Sequence, residues 1–428
     1  MVLEELAIVV GVVTVYAFVS KRLSAWSVSM PMVMVGAGWL LAVLDVVDAQ
    51  VEREVIVVVA ELTLAVILFG DAVRIDPARL RTEASLPVRL LFVGLPLSVL
   101  VGAASGWALL DGVGWAEAAL LAAILAPTDA ALGTAVVEDP AVPARERLAL
   151  NVESGVNDGL AVPIVAIFTA IVLDEQRGTS EWTGFVVEQI GLGVVLGLVL
   201  GGAGIRLLTL AHRHGWSDGR YEQLATFLIP VSALLVADLV GGNSFIAAFV
   251  AGIAFGSGGL APTVSHEEGR AAHFAEFTED AAQLLAVVAF FLFGNVFVDQ
   301  VIGDIDIRSV LLAITSLTVV RILPVFLALV GSGTHWQTRL FLGWFGPRGL
   351  ASIVFGLLLL EEIDVESLGA IGDELFSVIA LTVVASVVLH GVTAAPGARR
   401  YGAWASRSAP DVMAAGPEEH EMPRPRWR

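Results

Sequence analysis

At 428 residues, 57% apolar and 16% charged with a mean hydropathy of +0.82, the chain has a balance that a water-soluble globule of this size does not show. Aspartate plus glutamate number 43 against 24 basic residues, a formal charge of −19 that excludes nucleic acid as a partner, since binding it requires a basic face. Cysteine is absent, so disulfides, thiolate chemistry and cysteine-ligated metals are excluded as well.

A bilayer core about 30 Å thick takes roughly 20 mostly apolar residues per spanning helix. Apolar segments bounded by charge or by Pro and Gly predict helices over 2–20, 27–47, 54–72, 86–108, 115–137, 147–173, 183–211, 221–240, 243–257, 278–298, 308–331, 336–360 and 371–394. The chain therefore reads as an all-α polytopic membrane protein with about 13 spans. Glu4 and Glu5, rather than basic residues, precede the first apolar run, and no small-residue cleavage site follows it. That run reads as a helix and not as a signal peptide. From Gly397 the composition turns to Pro, Gly, Ala, Arg and Glu, which predicts a membrane domain over 1–395 and a short, disordered cytoplasmic tail over 396–428.

Positive charge collects in alternate connections, as correct spans require. One set carries Lys21 and Arg22; Arg74, Arg79, Arg81 and Arg89; Arg145 and Arg147; Arg206, Arg213 and Arg220; Arg270; Arg339; and the arginines after the last span. The other holds only Arg53, Arg177 and Arg308 and is rich in acid. The first set is assigned to the cytoplasm, which puts the amino terminus outside and the carboxy terminus inside. Lys21 is the sole lysine, and the acidic, lysine-poor surface fits either a salt-adapted source or a GC-rich genome that favours arginine.

Transporter folds built from inverted repeats place broken helices at mid-membrane, and two such breaks stand in matching positions. Pro127-Thr128-Asp129 interrupts the fifth span and Gly346-Pro347-Arg348-Gly349 the twelfth, each about halfway through. Proline removes an N–H and crowds the preceding turn, so both helices should unwind and free backbone groups. Asp129 is then expected at the positive ends of half-helices and Arg348 at negative ends. The sixth span carries Glu153-Ser154-Gly155-Val156-Asn157-Asp158, a costly set of groups in lipid. Ser154 and Asp158, one helical turn apart, share a face toward a cation, while Glu153 and Asn157 form the neighbouring stripe. Glu61 and Arg321 interrupt two further spans, so two acids can be matched with two arginines. Asp129 and Asp158 remain as buried carboxylates that hold either protons or a cation, and competition between those ligands is an exchange mechanism.

At these residues the sequence resembles the monovalent cation/proton antiporter superfamily, specifically the electroneutral sodium/proton exchangers with an Asn-Asp pair. The resemblance covers roughly residues 1–395 and rests on Glu61 followed by Leu68-Phe69-Gly70, on Pro127-Thr128-Asp129, on Glu153-Ser154 with Asn157-Asp158, on Arg321-Ile322-Leu323 and on Gly346-Pro347-Arg348-Gly349. It implies two inverted repeats with crossed broken helices, a core of helices over about 86–173 and 308–394, and interface helices over about 1–72 and 183–298. By the same resemblance Asp158 and Asp129 are the cation and proton carboxylates, Thr128 (through its carbonyl) and Ser154 add oxygen ligands, and Glu61 contributes through water. Asn157 is the neutral partner of Asp158. Glu153 and Arg321 form a structural ion pair with Arg348 near Glu61, or the pairing is crossed. Ala130 follows Asp129 where many members have proline. The resemblance implies a homodimer in the cell membrane, no cofactor, and sodium, with lithium or potassium as alternatives, exchanged for protons. It implies no enzyme activity. The rival reading, an intramembrane aspartyl protease, would use two membrane aspartates sharing a proton. It lacks a Gly-x-Gly-Asp setting at Asp158 and leaves the arginine-facing acids and the paired breaks unexplained.

Overall fold

A computed structural model describes residues 2–46, 53–73, 75, 85–177, 182–257, 268–298, 305–362 and 370–408. All regular structure among them is helical. In chain order the helices are α1 (Val2–Ala25), α2 (Met30–Val43), α3 (Arg53–Val73), α4 (Ser85–Leu109), α5 (Trp115–Ile124), α6 (Ala130–Val137), α7 (Ala144–Arg177) and α8 (Trp182–Arg213). They continue as α9 (Gly219–Leu239), α10 (Ser244–Gly256), α11 (Glu268–Val296), α12 (Ile307–Ala328, interrupted at Thr318), α13 (Trp336–Trp344), α14 (Leu350–Glu362) and α15 (Ala370–Ser408). Eight of these are long and apolar enough to cross a membrane by length and composition. The all-helical membrane fold expected from the sequence is therefore what the chain adopts. Each apolar segment predicted from the sequence has a helical counterpart, with α5–α6 and α13–α14 forming the two interrupted ones.

Local chemistry explains where several helices begin. Asp218 accepts from Arg220 N at 3.0 Å at the start of α9, Asn243 accepts from Ile246 N at 3.0 Å at the start of α10, and Asp306 accepts from Arg308 N at 3.0 Å at the start of α12. Each side chain satisfies an amide that the first helical turn leaves without a partner. Between helices, small residues substitute for the hydrophobic drive that lipid does not supply. At Gly197 of α8 an added Cβ would stand 2.6 Å from the carbonyl of Ala247, so only glycine lets α8 lie this close to α10.

Helices α2, α3 and α8–α11 pack chiefly on one another, and so do α4–α7 and α12–α15. The two sets meet where α7 lies against α3, α8 and α10, where α14 lies against α3 and α11, and where α15 lies against α2. The first of these contacts matters for function because α7 carries Glu153 to Asp158.

The carboxy-terminal end departs from the sequence reading. Disorder was expected from residue 396, yet α15 continues through Pro396 to Ser408, and Ala398, Tyr401 and Ala405 are buried. Tyr401 stacks on Phe341 with centroids 4.0 Å apart and shares a hydrogen bond of 2.9 Å with Thr338. The extension is held by packing on α13 that composition does not disclose. Residues 409–428 lie outside the described residues, as do Arg74, Arg79, Arg81 and the acids between 299 and 304 that entered the charge count.

Candidate functional site

Helix α5 ends at Ile124 and α6 begins at Ala130, while α13 ends at Trp344 and α14 begins at Leu350, so both interruptions fall at the proline-bearing segments. The two unwound stretches cross. Asp129 N donates to the carbonyl of Pro347 at 2.8 Å, and Ser352 Oγ donates to the carbonyl of Ile124 at 2.9 Å. The crossing brings together four half-helix ends, and charged side chains meet them. Asp129 Oδ1 accepts from Leu132 N at 3.2 Å in the first turn of α6, and its Oδ2 accepts from Leu350 N at 2.8 Å at the head of α14. One carboxylate thus serves two helix N-termini, where the backbone dipoles favour negative charge. Arg348 does the reverse. Its Nη1 donates to the carbonyls of Ala126 (2.8 Å) and Pro127 (3.1 Å), just past the C-terminal end of α5. Gly349 is required by closeness: a Cβ there would collide with the Asp129 carboxylate.

Helix α7 lies beside this crossing and presents its polar residues to it. Ser154 Oγ donates to the carbonyl of Thr128 at 2.6 Å, and Asn157 Nδ2 donates to Thr128 Oγ1 at 2.6 Å. The expected division of α7 into two stripes is thus modified, since Asn157 turns to the same residue as Ser154. Asp158 is 7% exposed, and its Oδ1 has no hydrogen-bond partner; neither has Asn157 Oδ1. Thr128, Asp129, Ser154, Asn157 and Asp158 therefore form one buried cluster of oxygens.

Glu153 faces away to Arg321. Their contact is bidentate, 2.5 Å from Nη1 to Oε1 and 2.8 Å from Nη2 to Oε2, and Nη2 also reaches the carbonyl of Leu342 at 3.3 Å. The Glu153–Arg321 half of the expected pairing is therefore present. A Cβ at Gly346 would collide with this guanidinium, so the break in α13–α14 is lined by both arginines. Glu61 lies on α3 and is half-buried.

One acid was missed. Asp71, in the last turn of α3, lies against Gly155 of α7, where an added Cβ would meet Asp71 Cβ at 3.3 Å and Oδ1 at 3.9 Å. Asp71 and Asp129 are both within electrostatic reach of Asp158, as is Arg348. The sequence signal was an acid directly after Leu68-Phe69-Gly70, at the end of an apolar run. Its place beside the cluster depends on how α3 docks on α7, which spacing alone does not specify.

Comparison with known proteins bears on this arrangement. A family model described as "Sodium/hydrogen exchanger, transmembrane" matches residues 8–400. The chain is 25% identical over 351 residues to the K(+)/H(+) antiporter NhaP of Alkalimonas amylolytica, covering 81% of this chain and 58% of that protein. It is also 25% identical over 322 residues to Na(+)/H(+) antiporter 2 of Zygosaccharomyces rouxii, covering 68% of this chain and 39% of that protein. The chain spans about half the length of these curated relatives. Against the solved structure of the sodium proton antiporter MjNhaP1 from Methanocaldococcus jannaschii it gives a TM-score of 0.70 at 18% identity, covering 91% of this chain and 99% of that one, so the two share a fold.

Proposed function

Because the chain belongs to the sodium/hydrogen exchanger family of transmembrane proteins, we propose that it is a secondary active antiporter that exchanges sodium for protons by alternating access. The observation that carries this reading is the buried oxygen cluster around Asp158, whose Oδ1 accepts no hydrogen bond from the protein. A carboxylate in that setting binds either a proton or a bare cation, and the two exclude each other. Asp158 is assigned as the exchanging group and Ser154 and the Thr128 carbonyl as neutral ligands, with Asp129, Asp71 and Glu61 supplying further negative charge nearby. Pro127, Gly346 and Pro347 keep the crossing unwound, and Glu153, Arg321 and Arg348 fix its geometry. The helices α4–α7 and α12–α15 would move as a body against α2, α3 and α8–α11, carrying the site between the two faces of the cell membrane. Homodimer formation through the latter set, and an outside amino terminus with an inside carboxy terminus, complete the reading.

Potassium is the second candidate cargo, favoured by a relative named as a potassium/proton antiporter. Proteoliposomes loaded with a pH-sensitive dye and acidified inside separate the two. Sodium added outside should release internal protons at lower concentration than potassium. Equal or greater response to potassium would reassign the cargo, and no response to sodium, lithium or potassium would refute antiport.

A further inference from the structure

The last helix places two polar residues, Ser386 and His390, directly behind the break between α13 and α14. They stand one turn apart on one face, and both are buried, at 0% and 1% exposure. Ser386 Oγ accepts from the backbone N–H of Arg348 at 2.6 Å and lies 3.1 Å from His390 Nδ1. His390 Nε2 lies 2.9 Å from the carbonyl of Trp344. The stripe continues one turn on, where Thr393 Oγ1 accepts from Trp344 Nε1 at 3.0 Å. At the next turn Gly397 leaves room for the Phe345 ring, 2.5 Å from where a Cβ would stand.

Two carbonyls border the imidazole, that of Trp344 at 2.9 Å from Nε2 and that of Ser386 at 3.0 Å from Nδ1. A carbonyl only accepts and a neutral imidazole carries one ring proton, so the Nε2–H form donates to Trp344 and leaves Nδ1 to accept from the Ser386 hydroxyl, whereas the Nδ1–H form donates to the Ser386 carbonyl. Ser386 Oγ accepts from Arg348 N–H in both. In the Nε2–H form a continuous chain runs from Arg348 N–H through Ser386 and His390 to Trp344, joining the two ends of the unwound segment. Without the Ser386 hydroxyl, the amide of Arg348 would be a buried donor with no partner in a helix break.

We propose that Ser386 and His390 are positioning residues for the ion site, a strap that sets the height of residues 344–350 against the other broken helix. Two contacts depend on that height. The Arg348 guanidinium must meet the carbonyls of Ala126 and Pro127, and the amide of Leu350, two residues further, must meet Asp129 Oδ2. Slackening the strap moves both together, so it alters the charge arrangement around Asp158 without touching a cation ligand. The functional half of this inference rests on the antiport reading; the structural half does not.

The test therefore uses two readouts on the full chain in lipid nanodiscs and proteoliposomes. In hydrogen–deuterium exchange, Ser386→Ala should raise uptake about fivefold in the peptide covering 344–352, the worth of one hydrogen bond, and leave α8–α11 unchanged. In sodium-driven proton flux the same variant should raise the sodium concentration for half-maximal rate by a similar factor with little loss of maximal rate. Ser386→Thr, which keeps the hydroxyl, should restore both. His390→Gln keeps a donor toward Trp344 and loses the acceptor for Ser386, so it should give a smaller rise in each, and it carries the test if Ser386→Ala does not fold. Unchanged uptake in 344–352, or faster uptake throughout the molecule, would overturn the strap. So would a fall in maximal rate with half-saturation unmoved. A wild-type protein without sodium-driven flux would instead refute antiport, and deuterium uptake would still judge the strap.

Discussion

Removal of one partner of the Glu153–Arg321 pair should cost at least as much as removal of both. The two residues are 2% and 3% exposed and meet through two hydrogen bonds. Glu153→Gln leaves the guanidinium with only neutral acceptors, the new amide oxygen and the Leu342 carbonyl at 3.3 Å, and no compensating charge. An uncompensated buried charge of this kind costs about 3 kcal/mol or more, roughly a hundredfold fall in the ratio of folded to unfolded protein. Arg321→Met should cost a similar amount by stranding the carboxylate. The double variant buries neither charge, so it should cost no more than either single variant, a coupling of about 3 kcal/mol between the sites. The assay is reversible unfolding in mixed micelles titrated with dodecyl sulfate, read by tryptophan fluorescence, on the wild type, both single variants and the double variant. Losses that add to within about 0.5 kcal/mol would refute the pairing as an energetic unit.

The site reading has consequences for transport. Asp158→Asn should abolish sodium-driven proton flux while size-exclusion behaviour stays that of the wild type, because the group for which proton and cation compete is gone; retained flux would exclude Asp158 as the exchanging group. Ser154→Ala removes one neutral oxygen and leaves every charge, so the half-saturating sodium concentration should rise about threefold to tenfold with maximal rate largely kept. An unchanged half-saturation would remove Ser154 from the ligands. Exchange should also be indifferent to a potential imposed with potassium and valinomycin, because Asp158, with the neutral Asn157 beside it, is the one carboxylate of that pair assigned to gain and lose a proton per cycle. A steady sodium-dependent current would overturn that stoichiometry.

Much of this was legible in the chain because lipid makes polar residues conspicuous. In a span such as 147–173, Glu153, Ser154, Asn157 and Asp158 have no solvent to explain them, and the prolines at 127 and 347 mark the two places where backbone must be unwound. The choice between Arg321 and Arg348 as partner of Glu153 was not legible. Both arginines lie deep in the core at 3% and 0% exposure, and only the crossing decides that one meets a carboxylate and the other a pair of carbonyls. Asp71 was missed because it closes α3 near a helix end, where an acid looks like an ordinary boundary residue. The extension of α15 to Ser408 was missed because its helix is stabilised by Tyr401 and Ala405 against neighbours distant in sequence, a contribution that overrides the local Pro396 and Gly397.

Glu153, Asp129 and Asp158 divide by what their polar atoms already touch. Glu153 has both oxygens on one guanidinium, and Asp129 has both on backbone amides of two different helices. Moving either group would dismantle the crossing itself. Asp158 differs: its Oδ1 is buried and accepts from no protein donor, and its neighbour Asn157 is committed to Thr128 through Nδ2. On the antiport proposal it is therefore the carboxylate assigned to change ligand in each half-cycle while the backbone around it stays in place. The same division explains why the breaks are crossed and not merely adjacent. Crossing puts two N-termini on Asp129 and the C-terminal carbonyls of α5 on Arg348, so the charges that build the site are satisfied by backbone and leave one side chain for the ions.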